Sequence, residues 1–281
     1  MVKYAYNTLV NTGIDLTGED LETSIVRISK AGYDGVEFVG EPERIDTGRV
    51  KALLDKYELE AASICSIFLK DRDLVSSNES IRRNGVKYVK DTAKMASEIG
   101  AKVMVVAPSP VGKVYPEASS EQEWKWAVEN IKECAEYARG LGVNLGIEPW
   151  NRYETYFLNR LEQALALRAE VDMKNVGVWG DTFHMNIEEK SIADAIKRAG
   201  KYLFHIHVAD SNRAAPGEGH IDFRPIVRVL KRIKYERYLS FELLPAGADP
   251  FYVMRVKKCD EFFDQYTRHA IQYMKRLWAK H

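Results

Sequence analysis

Eight short β-rich segments alternate with longer amphipathic segments along this chain, and this alternation constrains the possible fold most strongly. The β-rich segments are residues 3–7, 35–39, 60–68, 102–107, 144–148, 176–179, 203–208 and 238–242. Glycines separate several amphipathic segments from the next β-rich one: Gly32, Gly100, Gly142 and Gly200. This rhythm is typical of βα units, which build a closed parallel barrel or a doubly wound sheet. Since the count is eight, we predict the fold class α/β with a single (β/α)8 TIM barrel.

The length and the charge balance bound the domain organisation and the class of partner. A length of 281 residues is usual for one such barrel, so we expect residues 1–281 to form a single domain. Lysine plus arginine and aspartate plus glutamate both number 41, which gives a formal net charge of zero. Proteins that bind nucleic acid usually carry a basic face, so this balance argues against a nucleic-acid partner.

The N-terminus and the cysteines indicate the cellular compartment. The first residues, MVKYAYNTLVN, show no basic region followed by an apolar stretch, and no apolar run approaches the length of a membrane span. The cysteines are odd in number and widely spaced: Cys65, Cys134 and Cys259. This pattern is typical of a reduced protein with small buried thiols. We therefore predict a cytoplasmic location and no membrane partner.

Several helices have recognisable limits in the sequence. Ser76 and Glu79 have the spacing of a capping box, which predicts that a helix begins there. Other helices are predicted over residues 121–139, from about residue 187 to residue 200, and over the tail at 254–280. The tail carries apolar side chains at helical spacing, so we expect it to close the barrel by packing on it.

Acidic or imidazole side chains lie at the ends of the last four β-rich segments. The surrounding sequences are GIEPWNRYE, WGDTFHMN, HIHVADSNR and SFELLP, and the side chains are Glu148, Asp181, His207 and Glu242. Consecutive barrel strands are neighbours, and functional groups of such barrels lie at the C-terminal strand ends. Two glutamates, one aspartate and one histidine suit Mn²⁺, Co²⁺ or Mg²⁺ better than a closed structural zinc site. We predict that these four side chains hold one divalent metal ion, with Mn²⁺ favoured.

The two histidines of HIHVADSNR receive different roles in this interpretation. We place His205 and His207 on opposite faces of their strand, with His207 as the metal ligand and His205 in a structural role. Asp210 and Asn212 follow in the same segment, and we predict that they orient the imidazole of His207.

Three longer stretches resemble a known family. They are EPWNRYETYFLN from Glu148, DTFHMNIEE from Asp181 and HVADSNRAAPGEGHIDF from His207. The chain resembles the D-tagatose 3-epimerase/D-psicose (allulose) 3-epimerase group of the xylose isomerase-like TIM barrels, and weaker similarity covers most of its length. The resemblance implies that the metal ligands are the four side chains named above, and that Glu148 and Glu242 double as acid/base groups. It also implies substrate hydrogen bonds from three further side chains: Glu154, His184 and Arg213.

The chemistry of such an enzyme explains why two carboxylates are needed. Epimerisation next to a ketone removes a proton from one face of the carbon and returns a proton to the other face. Glu148 and Glu242, predicted on the fifth and eighth strands, would flank a bound sugar, and a divalent cation would hold the enediolate. We predict an isomerase that catalyses metal-dependent C3 epimerisation of a ketose or a keto-sugar acid. The expected partners are a small sugar substrate and further copies of the chain in a homodimer or homotetramer.

The pocket wall and the substrate are less constrained by the sequence. Tyr6 is predicted to contact the substrate, and Trp150 with the loop at residues 107–116 is predicted to form a wall or lid. The segment after Glu242, LLPAGADPFYVMRVKKCDEFFDQY, departs from the family pattern, and Trp150 and Trp179 are larger than expected. A ketohexose, a ketopentose and a keto-sugar acid are therefore all compatible with the sequence.

Three other functions use a similar barrel. An aldose–ketose isomerase resembling hydroxypyruvate isomerase would use the same metal but move the proton between C1 and C2. An endonuclease IV-like DNA-repair hydrolase requires more histidine ligands and a basic face, and only six histidines are present. A sugar-binding barrel without catalysis would not require both Glu148 and Glu242.

Overall fold

The structure of the chain is a computed structural model that describes residues 2–13, 16, 19–247, 252–253 and 259–281. Eight parallel strands pair in sequence order, and the barrel closes where the first strand pairs with the last. The strands are β1 (Lys3–Asn7), β2 (Gly35–Gly40), β3 (Glu60–Ser66), β4 (Val103–Val106), β5 (Asn144–Ile147), β6 (Val176–Asp181), β7 (Leu203–Val208) and β8 (Tyr238–Phe241). The predicted (β/α)8 barrel is confirmed.

Helices surround this barrel and bury its outer face. They are α1 (Leu9–Thr12), α2 (Leu21–Ala31), α3 (Thr47–Lys56), α4 (Glu79–Ile99), α5 (Ser120–Gly140), α6 (Leu161–Val171), α7 (Thr182–Glu188), α8 (Ile192–Ala199), α9 (Phe223–Arg232) and α10 (Asp260–Lys280). Short 3₁₀ turns occupy Lys70–Arg72 and Gly200–Tyr202. Within the described residues, no helix is both long enough and apolar enough to cross a bilayer.

Two predicted helix starts differ from the observed ones because other side chains cap the helices. At α4 the cap is Asn78, whose side chain accepts a hydrogen bond from the Ser80 amide at 2.9 Å, while the Ser76 hydroxyl donates to Glu117. The helix predicted from about residue 187 is two helices, since Asp181 caps α7 and Ser191 caps α8.

The last helix and the cysteines agree with the sequence. Helix α10 packs on α2 and α9 and buries Phe263, Ala270 and Ile271, so it closes the helical layer as predicted. Residues 254–258 of the predicted tail helix lie outside the described residues. All three cysteines are buried, and no disulfide joins any two of them.

The barrel interior is partly polar, which sets it apart from the apolar layer under the helices. His205 and His207 both face a buried glutamate of β2, Glu37, with Nε2–oxygen distances of 3.0 and 2.6 Å. The prediction that these histidines lie on opposite faces is wrong, because residues two apart on a strand point to the same side. The ring of Trp179 lies against His205 with 3.9 Å between centroids, and an apolar cluster continues from it through Val103 and Phe204.

Candidate active site

The four predicted metal ligands converge at the C-terminal end of the barrel. His207 Nδ1 lies 3.3 Å from Glu148 Oε1, 3.3 Å from Glu242 Oε2 and 3.8 Å from Asp181 Oδ2. All four side chains are buried. The sequence therefore predicted correctly that the ends of β5 to β8 bring these groups together.

Strand register explains this convergence. Asp181 is the last residue of β6 and pairs with His207 on β7, while Glu148 and Glu242 directly follow β5 and β8. The second oxygen of Asp181 accepts a hydrogen bond from the Phe183 amide at 2.7 Å, which fixes the carboxylate at the start of α7. One oxygen of Asp181 thus remains directed at His207.

Trp150 fixes the carboxylate of Glu148 in a similar way. Its indole Nε1 donates to Glu148 Oε2 at 2.8 Å, so Oε1 is turned toward His207. Glu148 Oε1 and His207 Nδ1 are both buried, and neither makes a well-formed hydrogen bond within the described part of the chain. Buried polar atoms are costly without a partner, so the two atoms define a position that favours a ligand.

The donor atoms at this position fit a divalent cation. Glu148, Asp181 and His207 each offer one ligand atom, and these atoms lie within 4.8 Å of one another. Glu242 adds a fourth donor beside His207 Nδ1. Three carboxylates and one imidazole are the donor set that Mn²⁺, Mg²⁺ or Co²⁺ prefers.

Electrostatics at the site favour positive charge. Burial raises the pKa of Glu148. Burial acts in the same direction on Glu242, but the positive charges of His207 and Arg213 outweigh it and lower the pKa of Glu242. Burial disfavours the charged form of His207, yet the carboxylates of Glu37 and Glu242 hold its pKa well above the usual value. The negative charge of the surrounding carboxylates therefore stabilises positive charge at His207.

Arg213 lies directly beside the predicted ligands. Its Nη1 is 2.6 Å from Asp181 Oδ2 and 3.0 Å from Glu242 Oε2, and its guanidinium lies over the ring of Phe183 at 4.3 Å. The Arg213 backbone is left-handed, with φ of 64°, and its carbonyl accepts a hydrogen bond from the Leu244 amide. This left-handed backbone conformation directs the side chain from the loop after β7 toward Asp181 and Glu242 at the C-terminal end of the barrel.

The β7 loop that carries Arg213 is organised by Asp210, not by His207. The fully buried carboxylate of Asp210 accepts backbone hydrogen bonds from three residues of its own loop: Ser211, Gly217 and Ile221. Asn212 donates to the Glu218 carbonyl. The prediction that Asp210 and Asn212 orient His207 is therefore wrong, since the hydrogen-bonding capacity of both side chains serves the loop.

The other two predicted substrate residues extend the cluster from Arg213 toward the β5 loop. His184 Nε2 lies 3.2 Å from Arg213 Nη2, and its Nδ1 faces the side chain of Asn151 at 2.9 Å. Asn151 also donates to Glu154 Oε1 at 2.8 Å, and the Glu154 side chain is 31 % exposed. Glu154, His184 and Arg213 thus form one connected polar group on one side of the predicted cation position.

Tyr6 does not join this group, which corrects the sequence-based placement. Tyr6 is fully buried, and its ring packs edge-to-face on Tyr33 between the barrel and the helices. Its neighbour Asn7 faces inward instead, where its Nδ2 donates to Glu37 at 2.8 Å and to Glu242 at 3.3 Å. Alternation along β1 places only one of two neighbouring residues in the barrel.

Inward-facing residues that were not predicted also contact the site, among them Glu37 and Asn7. The signal for Glu37 was the acid in the centre of GVEFVG, because a strand buried on both faces leaves no solvent for a carboxylate. No comparable signal marked Asn7, which ends the aromatic run of β1.

The predicted wall or lid at residues 107–116 is tied to its neighbours. Lys113 Nζ lies 2.6 Å from Asp73 Oδ2, and the Gly112 amide donates to the Glu154 carbonyl at 2.8 Å. Trp150, the other predicted wall residue, is buried and holds Glu148. The loop is therefore braced on both sides by the loops after β3 and β5.

A cavity of about 570 Å³ lies at the opposite end of the barrel. Its lining includes Lys3, Glu60, Lys102 and Asn144, near the N-terminal ends of their strands. We assign the active site to the acidic cluster and not to this cavity, because barrel enzymes carry their chemistry at the C-terminal strand ends.

Comparisons with known proteins agree with this geometry. A family model described as "Xylose isomerase-like TIM barrel" matches residues 25–277. The L-ribulose 3-epimerase of Methylomonas sp. (strain DH-1) is 30% identical over 243 residues, which cover 86% of this chain and 84% of that protein. The 3-dehydro-D-guloside 4-epimerase of Escherichia coli (strain K12) is 30% identical over 230 residues, covering 79% of this chain and 87% of that protein.

A solved structure extends the comparison to three dimensions. The D-allulose 3-epimerase from Methylomonas sp. in complex with D-allulose superposes with a TM-score of 0.83 at 28% sequence identity. The match covers 98% of this chain and 96% of that one. With the closed barrel, the family-model match over most of the chain and these relatives, the chain belongs to the xylose isomerase-like TIM barrel family.

Proposed function

We propose that this chain is a divalent-metal-dependent epimerase that inverts C3 of a ketose. The observation that carries the proposal is the convergence of Glu148 and Glu242 on His207 Nδ1, each at 3.3 Å, from strands on different sides of the mouth. The isomerase class agrees with the relatives, which are named as L-ribulose, D-psicose and ketose 3-epimerases.

Glu148 and Glu242 are the proposed proton-transfer groups. One carboxylate removes the proton from C3 on one face of the sugar, and the other delivers a proton to the opposite face, so the configuration at C3 inverts. Because the reaction is reversible, each carboxylate is the base for one epimer and the acid for the other. Trp150 fixes the Glu148 side chain for this role by engaging only Oε2, which leaves Oε1 directed toward His207.

The proposed metal ligands are Glu148, Asp181, His207 and Glu242, and the donor set favours Mn²⁺ with Co²⁺ and Mg²⁺ as alternatives. The chemistry that such a cation supplies when bound is polarisation of the substrate carbonyl and stabilisation of the negative charge that develops on deprotonation. The buried Glu148 Oε1 and His207 Nδ1, which lack well-formed hydrogen bonds within the described residues, support this assignment.

Arg213, His184 and Glu154 are the proposed substrate contacts. Arg213 offers donors to sugar oxygens and to the developing oxyanion, and Glu154 offers an acceptor to sugar hydroxyls. Arg213 already lies beside Asp181 and Glu242, so a substrate that reaches the carboxylates also reaches the guanidinium. The homodimer or homotetramer predicted from the sequence stays a prediction.

A second candidate reaction is epimerisation at C4 of a keto-glycoside. The relative from Escherichia coli that is named 3-dehydro-D-guloside 4-epimerase matches this chain at the same identity as the L-ribulose 3-epimerase. Both reactions invert a carbon next to a ketone, and the same two carboxylates would serve either one. The position of the substrate carbonyl decides between them.

The test is a panel of ketoses, keto-glycosides and keto-sugar acids incubated with the Mn²⁺-loaded protein in D₂O and analysed by NMR. Deuterium at C3 of a ketose with formation of the C3 epimer is the expected result. Deuterium at C4 of a 3-keto-glycoside would favour the second candidate, and incorporation at C1 or C2 would indicate an aldose–ketose isomerase. Binding of sugars without any exchange would contradict the enzymatic proposal.

A further inference from the structure

Glu37 is a buried carboxylate inside the barrel that the proposed proton transfers do not use. It lies in the middle of β2, and its side chain is 0 % exposed. An ionised carboxylate is costly to bury unless charged or hydrogen-bonding partners compensate it. The partners of Glu37 therefore indicate its role.

Each oxygen of Glu37 meets two hydrogen-bond donors. Oε1 lies 2.6 Å from His207 Nε2 and accepts a hydrogen bond from Asn7 Nδ2 at 2.8 Å. Oε2 lies 3.0 Å from His205 Nε2 and accepts a hydrogen bond from the Ser63 hydroxyl. Since an ionised carboxylate only accepts, this arrangement is satisfied when both imidazoles carry a hydrogen on Nε2.

A hydrogen on Nε2 determines what His207 presents to the site. A histidine that ligates a cation is neutral. With its hydrogen on Nε2, His207 would carry its lone pair on Nδ1, and Nδ1 is the atom that faces Glu148, Glu242 and Asp181. A carboxylate hydrogen-bonded to the far nitrogen of a metal-ligating histidine fixes its tautomer and ring orientation.

We propose that Glu37 is a positioning residue that holds His207 with its Nδ1 lone pair toward the three carboxylates and thereby sets the affinity of the site for a divalent cation. This inference rests on the proposed function, because it takes the cation site from it. Glu37, Cys65 and His207 also offer ligand atoms within 4.8 Å of one another. A cation at that second position would displace the Glu37–His207 hydrogen bond, so we assign Glu37 to support and not to ligation.

His205 in turn holds the carboxylate of Glu37 in place. Its Nε2 engages the second oxygen of Glu37, and its ring is held against Trp179 at 3.9 Å between centroids. His207, Glu37 and His205 thus form a continuous row inside the barrel. The carboxylate between two imidazoles has little freedom to rotate, so the orientation of His207 is set before a cation binds.

The test measures Mn²⁺ affinity by calorimetry on chelator-stripped protein for the wild type, Glu37→Gln and Glu123→Gln. Glutamine keeps the volume, but its amide NH₂ must face one of the two Nε2–H groups, so one imidazole loses its acceptor. We expect Glu37→Gln to weaken Mn²⁺ binding by about 10- to 100-fold. At saturating Mn²⁺ the variant should reach most of the wild-type kcat.

Glu123→Gln is the matched control. Glu123 is equally buried, but its carboxylate accepts hydrogen bonds from the Glu117 and Ala118 amides, which lie just before α5. We expect its Mn²⁺ affinity to equal that of the wild type. An equal loss in both variants would show that any buried carboxylate has this effect and would overturn the proposal, as would unchanged affinity in Glu37→Gln.

The outcomes separate this inference from the proposed function. Failure of the wild type to bind Mn²⁺ would refute the metal centre itself, whereas the ratio between wild type and Glu37→Gln tests the role of Glu37. If Glu37→Gln does not fold, ¹⁵N NMR of the histidine side chains in the Mg²⁺-loaded wild type decides. A hydrogen on Nε2 of His207 supports the proposal, and a hydrogen on Nδ1 overturns it.

Discussion

Glu242→Gln separates proton transfer from cation binding because the structure fixes how the glutamine must orient. Glutamine keeps the shape of glutamate but does not accept a proton at neutral pH. Arg213 Nη1 lies 3.0 Å from Glu242 Oε2 and can only donate, so the new side chain should turn its carbonyl oxygen toward Arg213. An oxygen therefore remains on the side where Glu242 faces His207 Nδ1.

The expected increase in the activation barrier is larger than the expected loss of folding stability. On the other side, the amide NH₂ would meet Asn7 Nδ2 and Cys65 Sγ, which now contact Oε1 at 3.3 and 3.5 Å. Losing such contacts costs about 0.5–1.5 kcal/mol each. Removing one acid/base group lowers kcat about 10²–10⁴-fold, which corresponds to about 3–5 kcal/mol in the activation barrier.

The assay combines metal analysis of purified Glu242→Gln with deuterium exchange from each C3 epimer in D₂O. We expect metal to be retained, net epimerisation to fall by the factor given above, and exchange to persist from only one epimer. Glu148→Gln should show the complementary preference for the other epimer. Near-wild-type epimerisation by metal-loaded Glu242→Gln would refute the two-carboxylate mechanism, and transfer between C1 and C2 would then explain the site better.

Arg213→Ala should lower kcat/KM about 10²–10³-fold with metal content near one ion per chain, and metal loss would place Arg213 in the scaffold. Chelation should abolish activity, and Mn²⁺ at 100 times its Kd should restore it and add about 2.7 kcal/mol of stability in urea unfolding; full activity without metal would contradict this. Hydrogen bonding to Arg83, with help from Lys90, lowers the pKa of Glu133 to about 2. Because the folded pKa lies below the unfolded value of about 4.3, this ion pair stabilises the folded chain above that pH. Its contribution to stability disappears as the pH falls toward 2. Urea unfolding of Glu133→Gln should show a cost of at most about 1 kcal/mol at pH 7 and almost none near pH 2; an equal cost at both would contradict the assignment.

Strand ends were predictable from the sequence, and the predicted ligands depended only on them. Glu148, Asp181, His207 and Glu242 each end or follow an apolar run, and neighbouring strands of a barrel end at the same rim. Their convergence required no knowledge of side-chain direction. This is why the centre of the site was predicted better than its surroundings.

Side-chain direction within a strand was much harder to predict. In β1 the sequence KYAYN has no contrast between polar and apolar positions, so Tyr6 and Asn7 could not be assigned to the outer and inner faces. The shared face of His205 and His207 follows from the period of two along a strand, so the sequence was sufficient to predict it. The position of Glu37 could be predicted only with knowledge that the barrel interior stabilises a buried charge. The side chains that do so come from three other strands.

Side-chain capping also determined a helix start that motif spacing in the sequence did not predict. Ser76 and Glu79 match a capping box, but the Ser76 hydroxyl is engaged by Glu117, and Asn78 caps the helix instead. Glu117 is 41 residues away from Ser76. Such competition between a local motif and a distant partner arises only once the chain has folded.

Closure of the barrel between β1 and β8 has a consequence for the order of events in folding. Asn7 of β1 donates to Glu242 after β8, a contact between residues 235 positions apart. Asn7 therefore contacts Glu242, one of the proposed ligands, only after the first and last strands have paired, and contacts this distant in sequence form slowly. We expect Mn²⁺ to slow unfolding and to leave the refolding rate unchanged, because the cation binds a feature that the transition state lacks. The bound ion would then stabilise the closed barrel against unfolding. Stopped-flow measurements of the unfolding and refolding rates with and without Mn²⁺ test this expectation.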